Sequence, residues 1–445
     1  MKHKLKKPTI LFFMLFVFAM MHAQEKKNIR LNEAIDLSLK NSKQLKINQA
    51  KIEEATASLT EAIQRRLPDA SVGGSYLRFL PAKVELKSQN SNNNPSATPV
   101  QPPRITQASY GILNFSLPLF TGGKINYGIE SSRFLAEAVK LDADNDKEEV
   151  IQNTIESYVN LYKAKASVDL VKQNLASANQ RVTDLTSWEK NGLLARNDLL
   201  KAQLQQSNIE LSLLDAQNNW ELANLNMNLL LGLPEKTELV LDSQIVDLPL
   251  TVKSLDEYLQ AASTNRKDAA ALELRTKAAK SGVKATKGDY FPSLALSGGY
   301  IAASVPNFIN VYNAIDAGIG VSYNLGSLWK TKAKVQQADA RVKQLSLTQS
   351  LLSDNIRLQV NQSYLNWLSS QKKIQVYEKA VEQAEENYRI VKNKFNNNLA
   401  TTTDLLDADV ADLQSRLNYV FAKADAVVVY SKLLQAAGLE QQNIK

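Results

Sequence analysis

The sequence predicts a mostly α-helical protein with a small membrane β part, built as tandem long coiled-coil hairpins plus four β-strands per chain. Three observations carry this. From Leu119 to Leu233 there is no proline, and only Gly128 and Gly192 fall well inside the stretch, so nothing interrupts very long helices. The chain also repeats itself. Leu31, Glu33, Asn41, Lys43, Ala55, Pro68, Gly74 and Tyr76 recur at one constant offset as Leu255, Glu257, Asn265, Lys267, Ala279, Pro292, Gly298 and Tyr300. Leu119, Lys124, Tyr158, Asn160, Asn191, Asp198, Leu199, Ala202 and Gly232 recur at a second, shorter offset as Leu325, Lys330, Tyr364, Asn366, Asn397, Asp404, Leu405, Ala408 and Gly438. Finally, short segments between the helical stretches alternate with period two, the mark of strands.

Taken in order, residues 1–23 come first. Lys2, Lys4, Lys6 and Lys7 precede an apolar run from Thr9 to Met21, and small Ala23 stands before Gln24, which predicts a secretory signal peptide. The run is short for a membrane anchor. Both histidines, His3 and His22, lie inside it, and the chain has no cysteine. The rest therefore has no zinc set, thiol nucleophile or imidazole base, and no motif groups its Ser, Asp and Glu residues into a hydrolase site. The expectation is a protein that is not an enzyme and holds no cofactor or metal. The four lysines of the signal make up half of the formal +8, no basic block remains, and no nucleic acid is expected as a partner. Without disulfides, an exported chain must be stabilised by packing and assembly.

The first repeat is expected over 24–234, with a helix over 31–66, strands over about 70–79 and 110–119, a long helix over about 125–188 and a return helix over about 198–231. At 1.5 Å per residue the long helix is on the order of 95 Å. Lys87 to Pro103, polar and proline-rich, is the extra loop between the strands of this half. Residues 235–254 read as a linker with an alternating apolar piece (Leu239, Leu241, Ile245, Val246), placed as an equatorial collar. The second repeat, 255–445, has helices over about 255–289, strands over about 294–303 and 314–325, a long helix over about 330–394 and a return helix over about 404–437. Ile315, Ala317, Ile319 and Val321 alternate with Asp316, Gly318, Gly320 and Ser322, which is the pattern of a membrane-spanning strand. One face should meet lipid and the other be tightly packed, so Gly318→Arg or Ile319→Asp is expected to block insertion.

Lipid holds no water to satisfy backbone groups, so a spanning sheet must close on itself. Four strands are too few for a barrel. Two chains would bring eight strands and three would bring twelve.

On these residues the chain resembles the TolC family of outer-membrane channel tunnels. Ser116-Leu117-Pro118-Leu119-Phe120-Thr121-Gly122-Gly123-Lys124 is similar to the family's strand-to-helix junction, and Asn191-Gly192-Leu193 with Asp198-Leu199-Leu200-Lys201-Ala202 to its first hairpin tip. Asp404-Leu405-Leu406-Asp407-Ala408 is similar to the second tip. The resemblance implies a homotrimer with a shared twelve-stranded β-barrel in outer-membrane lipid and a twelve-helix periplasmic tunnel. It further implies the exit duct of efflux or type I secretion, working with a periplasmic adaptor and an inner-membrane transporter. The alternative is a periplasmic adaptor or coiled-coil structural protein, which carries one long hairpin rather than two.

The tips are the candidate site. Gly192 can make the first turn, and Asp198 and Asp404 can cap the helices that follow. Beyond this structural role, Leu193, Leu194, Ala195 and Arg196, with Leu399, Ala400 and Thr401, are candidates to dock an adaptor hairpin. At the second tip Asn396-Asn397-Asn398 stands where the family usually has glycine. Where some members carry acidic gate rings, this chain has Arg389 and Lys392, with Glu385 and Glu386 a turn earlier. Those residues read either as a pore gate favouring anions or as a solvated charged face. Tyr76, Phe79, Phe115, Phe120, Tyr300 and Tyr323 are candidates for interfacial belts or strand packing, and Trp188, Trp220 and Trp367 sit at helical core spacing.

Overall fold

The computed structural model describes residues 26–83, 104–242, 253–306 and 308–439. The expected signal over 1–23, the loop from Lys87 to Pro103 and linker residues 243–252 lie outside the described residues. The elements are β1 (Lys26–Ile29), α1 (Leu31–Asn41), α2 (Lys43–Gln64), β2 (Asp69–Lys83), β3 (Arg104–Phe120), α3 (Lys124–Lys190) and α4 (Arg196–Leu231). They continue with β4 (Glu238–Leu241), α5 (Leu255–Asn265), α6 (Lys267–Lys287), β5 (Ser293–Val305), β6 (Ile309–Ser322), α7 (Ser327–Asn396) and α8 (Thr402–Ala436). The long helices α3 and α7 run to 67 and 70 residues without a proline.

The expected helix over 31–66 is broken, and the helices expected over about 255–289 divide at the corresponding place. The helix over 31–66 stops at Ser42, whose ψ of 121° leaves the helical region, and Ser42 Oγ then accepts from Leu45 N at 3.3 Å to start α2. The counterpart break is Arg266, with ψ of 116°. Its guanidinium donates to both carboxylate oxygens of Asp268 at 2.9 and 2.6 Å and to Ala436 O at 3.4 Å.

The chain forms two compact units. Among the described residues, the first draws on 26–50, 141–242, 253–269 and 350–439. Its core gathers Ile151, Ile155 and Val159 of α3, Met227 and Leu231 of α4, Val360 and Trp367 of α7, and Val427 and Leu433 of α8. Trp367 is buried there as its spacing predicted, against Tyr430 with ring centroids 5.0 Å apart. β1 pairs with β4 in parallel, from Lys26–Glu238 to Ile29–Leu241, and buries Ile29 and Leu239 in this core. The Asn224 and Asn228 amides each donate to Thr237 O at 2.8 Å, and Leu239 N donates to Asn224 Oδ1 at 3.0 Å, which fixes the entry to β4.

Tyr158 is buried beneath β1 and donates its hydroxyl to Ile29 O at 3.2 Å. Burial pushes its phenol up to about 12. An unfolded tyrosine ionises near pH 10. The protonation difference is absent below about pH 10, so this contribution to stability is complete there and is lost as pH rises towards 12. Tyr158→Phe is expected to cost about 1 kcal/mol at neutral pH and to flatten the alkaline loss, read as denaturation midpoints by circular dichroism across that window.

Among the described residues, the second unit draws on 51–83, 104–140, 270–306 and 308–349 and holds a four-stranded sheet of order β2-β3-β5-β6, antiparallel throughout. Its register sorts side chains by face. Val72, Leu113, Tyr300 and Ile315 form one row, and Leu117, Leu296 and Ile319 another on the same face. The opposite face carries Ser71, Asn114, Gly299 and Asp316 in one row, and Asp69, Ser116, Ser297 and Gly318 in the next. An apolar face opposite one that is small or polar in these two rows, with Ile112 and Ile301 in the row beyond, is compatible with a barrel wall between lipid and water.

Two expectations on β6 are corrected. The strand begins at Ile309, ahead of the expected 314, because a bulge opposite Ile301–Ala303 includes Asn313 at φ 57 and breaks the alternation there. It ends at Ser322 rather than 325, because Asn324 turns the chain into α7, its Oδ1 accepting from Gly326 N at 2.9 Å. Nor is Gly318 tightly packed: a Cβ there would meet nothing within 4 Å. Just before β5, Asp289 pairs with Lys124 at the start of α3 and with Lys334 in α7, the latter at 3.1 Å. Those two lysines hold its carboxyl below the usual range.

Candidate functional site

Each tip is a helical hairpin closed by the same pair of backbone bonds. At the first, Gly192 N donates to Glu189 O and Leu193 N to Trp188 O, both at 2.9 Å, with Gly192 at φ +73. At the second, Asn398 N donates to Phe395 O at 3.0 Å and Leu399 N to Lys394 O at 2.8 Å, with Asn398 at φ 60. Both turns satisfy the last carbonyls of a long helix through one left-handed residue. Of the three asparagines, Asn398 alone takes that conformation. No atom lies within 4 Å of a Cβ on Gly192, so a side chain there costs only backbone strain. Gly192→Val is expected to cost about 1–2 kcal/mol, while Asn398→Gly relieves part of a similar strain. Chemical denaturation of the two variants reads the opposite signs.

The return helices start differently. Thr401 Oγ1 accepts from Asp404 N at 3.1 Å, and Asp404 Oδ2 accepts from Thr401 N at 2.8 Å, a reciprocal capping box. The Thr401 hydroxyl and N–H hold the Asp404 carboxyl below its ordinary range, so the cap stays ionised as pH falls. In the first repeat Ala195 stands at the cap position and has no side chain to complete the box. Asp198 therefore does not cap α4 as expected. It pairs with Lys201 at 3.2 Å, and the lysine also donates to Thr403 Oγ1 of the other tip at 3.4 Å.

Behind the turns lies a small core of Leu185, Leu199, Ala202, Phe395 and Leu405, with Trp188 stacked on Phe395 at 5.8 Å between centroids. Leu194 and Ala400 pack against this core, so these two expected contact residues hold the tip together. Arg196 reaches Glu189 at 3.5 Å. Leu193 and Leu399 remain, 72% and 75% exposed, each directly after its left-handed residue. The two turns thus hold out two leucines with no core to enter.

Of the expected gate residues, Arg389 is exposed and donates to both carboxylate oxygens of Glu386 at 2.7 and 2.6 Å, a pair along one helix face. Lys392 lies over the Tyr388 ring, 5.8 Å from its centroid, and Glu385 pairs with Arg416 at 2.9 Å. Three of the four charges named around the gate are thus neutralised within the chain.

Sequence reasoning missed the buried charges above the tip. Arg181 and Asp409, with side chains 9% and 6% exposed, pair at 3.0 Å through Nη2 and Oδ1. Arg181 Nη1 donates to Asp409 Oδ2 at 3.1 Å, Asn174 Nδ2 to the same oxygen at 3.2 Å, and Arg181 Nη2 to Tyr388 Oη at 3.3 Å. Burial opposes the guanidinium charge, but the Asp409 carboxylate outweighs it and leaves the arginine pKa raised. The signal was present: Arg181 stands four residues before core Leu185, and Asp409 four after core Leu405.

The family model described as outer membrane efflux protein matches residues 34–233 and 258–439. Toxin and drug export protein A of Aggregatibacter actinomycetemcomitans is 22% identical over 92% of this chain and 86% of its own length. Outer membrane efflux protein BepC of Brucella suis is 21% identical over 72% of this chain and 70% of its own. Among solved structures, the Campylobacter jejuni CmeC outer membrane channel superposes with a TM-score of 0.77 at 18% identity, over 92% of this chain and 86% of that one. At that identity the likeness concerns the fold.

Proposed function

Because this chain belongs to the outer membrane efflux protein family, we propose that three copies close one twelve-stranded barrel and one helical tunnel, which together form a passive exit duct. The duct carries small molecules or exported polypeptides, an inner-membrane transporter supplies the energy, and a periplasmic adaptor docks on the tips. The chain itself performs no chemical step.

The observation that supports this best is the sheet. Its outer strands β2 and β6 each pair on one side only among the described residues, while one face is apolar. In lipid an open edge leaves a row of backbone groups unsatisfied, so such a sheet is stable only when other copies complete it. Docking at the tips is supported by Leu193 and Leu399, apolar groups that the tip core leaves exposed.

Native mass measurement of the detergent-extracted protein tests the assembly: a species of three chains is expected, and a single-chain species soluble without detergent refutes it. In cells lacking the native copy, Leu193→Asp with Leu399→Asp is expected to abolish export while the assembly still forms. Normal export by that double variant removes the tips from docking.

A further inference from the structure

We propose that Asp316, on the water-facing side of the barrel wall, sets the charge preference of this duct and makes it favour cations. The inference rests on the proposed channel function and adds a selectivity-determining residue to it.

The register of the sheet carries the argument. Ile315 and Ile319 share the apolar face, so Asp316, between them in period two, lies on the opposite face in a row with Gly299, Asn114 and Ser71. In the neighbouring row that face presents Asp69, Ser116, Ser297 and Gly318. From the row of Ser75 and Tyr110 down to that of Asp69, no lysine or arginine shares it among the described residues. The fixed charge of this stretch of wall is therefore wholly negative, two carboxylates per chain, and closure of the barrel by three copies repeats it around one ring.

The carboxylate also has a seat. A Cβ on Gly299 would come within 2.8 Å of Asp316 Oδ1 and 3.0 Å of Leu113 O, so only glycine leaves room for the side chain to lie across the neighbouring strand. Asn114 and the serines alongside offer neutral dipoles that solvate a passing cation without cancelling the acid. A ring of fixed carboxylates facing a confined aqueous path raises the local concentration of cations and lowers that of anions. Of the cationic groups considered for the periplasmic end, Arg389 does not counter it, since it is paired with Glu386.

The test is the reversal potential of the purified full-length protein in planar bilayers under a tenfold KCl gradient. The wild type is expected to prefer potassium over chloride, more so at about 0.1 M than at 1 M salt, because screening over about 10 Å shrinks to about 3 Å. Asp316→Asn is expected to move the reversal potential at least halfway to zero, and Asp316→Lys to invert its sign. Removing both members of the exposed pair, Arg389→Gln with Glu386→Gln, should leave it unchanged. Should a lysine at this position prevent insertion, the isosteric asparagine still decides. Conducting pores whose reversal potential is the same with Asp or Asn at 316 overturn the inference and leave the channel reading intact, whereas a wild type that forms no pores overturns both.

Discussion

Arginine at position 319 is expected to prevent the barrel from forming, whereas arginine one residue earlier is expected to be accepted. Ile319 is 67% exposed on the apolar face, in a row with Leu296 and Leu117, so its surroundings in the assembled wall are lipid. A guanidinium on the lipid face of a barrel costs about 2–4 kcal/mol near the bilayer midplane. In the proposed assembly of three copies, the cost falls on every subunit at once. Gly318 lies on the other face, and open space surrounds the position of its missing Cβ. A guanidinium there projects into water. The two variants carry the same new side chain at adjacent positions, so differences in expression, charge and export cancel in the comparison. Heat-modifiable mobility and the urea midpoint of refolding into lipid vesicles read the result. Equal loss in both variants would remove the assignment of the two faces, and with it the argument for the barrel. The reading from sequence alone placed Gly318 in a tightly packed face; the close approach belongs to Gly299 instead.

The overall plan was legible because it is written in long-range periodicity. A proline-free stretch of helical spacing, its repetition and a period-two segment each extend over many residues, so local exceptions cannot hide them. What escaped was short or depended on a partner far along the chain. β1 is four residues, Lys26 to Ile29, with two lysines among them, and becomes a strand only because β4 lies beside it more than two hundred positions later. The breaks at Ser42 and Arg266 are single residues in sequences that otherwise favour helix. At the tips, the sequence marks the turns, but it cannot say which of three asparagines is left-handed or which leucines are spare. Leu193 and Leu194 are identical neighbours; one is exposed and one packs on Trp188 and its cluster because of where the turn leaves them. Ala195 in place of the threonine at 401 did carry information, since a capping box needs both members and the first repeat lacks one.

Loss of either partner of the Arg181–Asp409 pair is expected to be among the most damaging single changes in the helical unit. Both side chains are almost fully buried, and each satisfies the other through two contacts, with Asn174 and Tyr388 supplying the remaining bonds. Arg181→Ala leaves a carboxylate in a low-dielectric setting with one amide for company, and Asp409→Ala strands a guanidinium in the same way. Removing one member of such a pair costs about 3–5 kcal/mol, far more than the loss of an exposed bridge such as Arg389–Glu386, where water replaces the partner. Replacing both by apolar groups of similar volume, Arg181→Met with Asp409→Leu, removes the desolvated charges together and is expected to recover most of that loss. Urea denaturation of Arg181→Met, Asp409→Leu and the double variant that combines them, beside the parent, forms a closed cycle, and the coupling energy is the quantity to read. Additive losses would show that the charges do not depend on each other. A double variant far more stable than the sum of the two losses predicts, and more stable than either single one, would show that the pair contributes little net stability and that its cost lies in being left half made. The polar link would then serve to fix one geometry between α3, α7 and α8 just above the tips, where apolar contacts alone would allow the helices to slide.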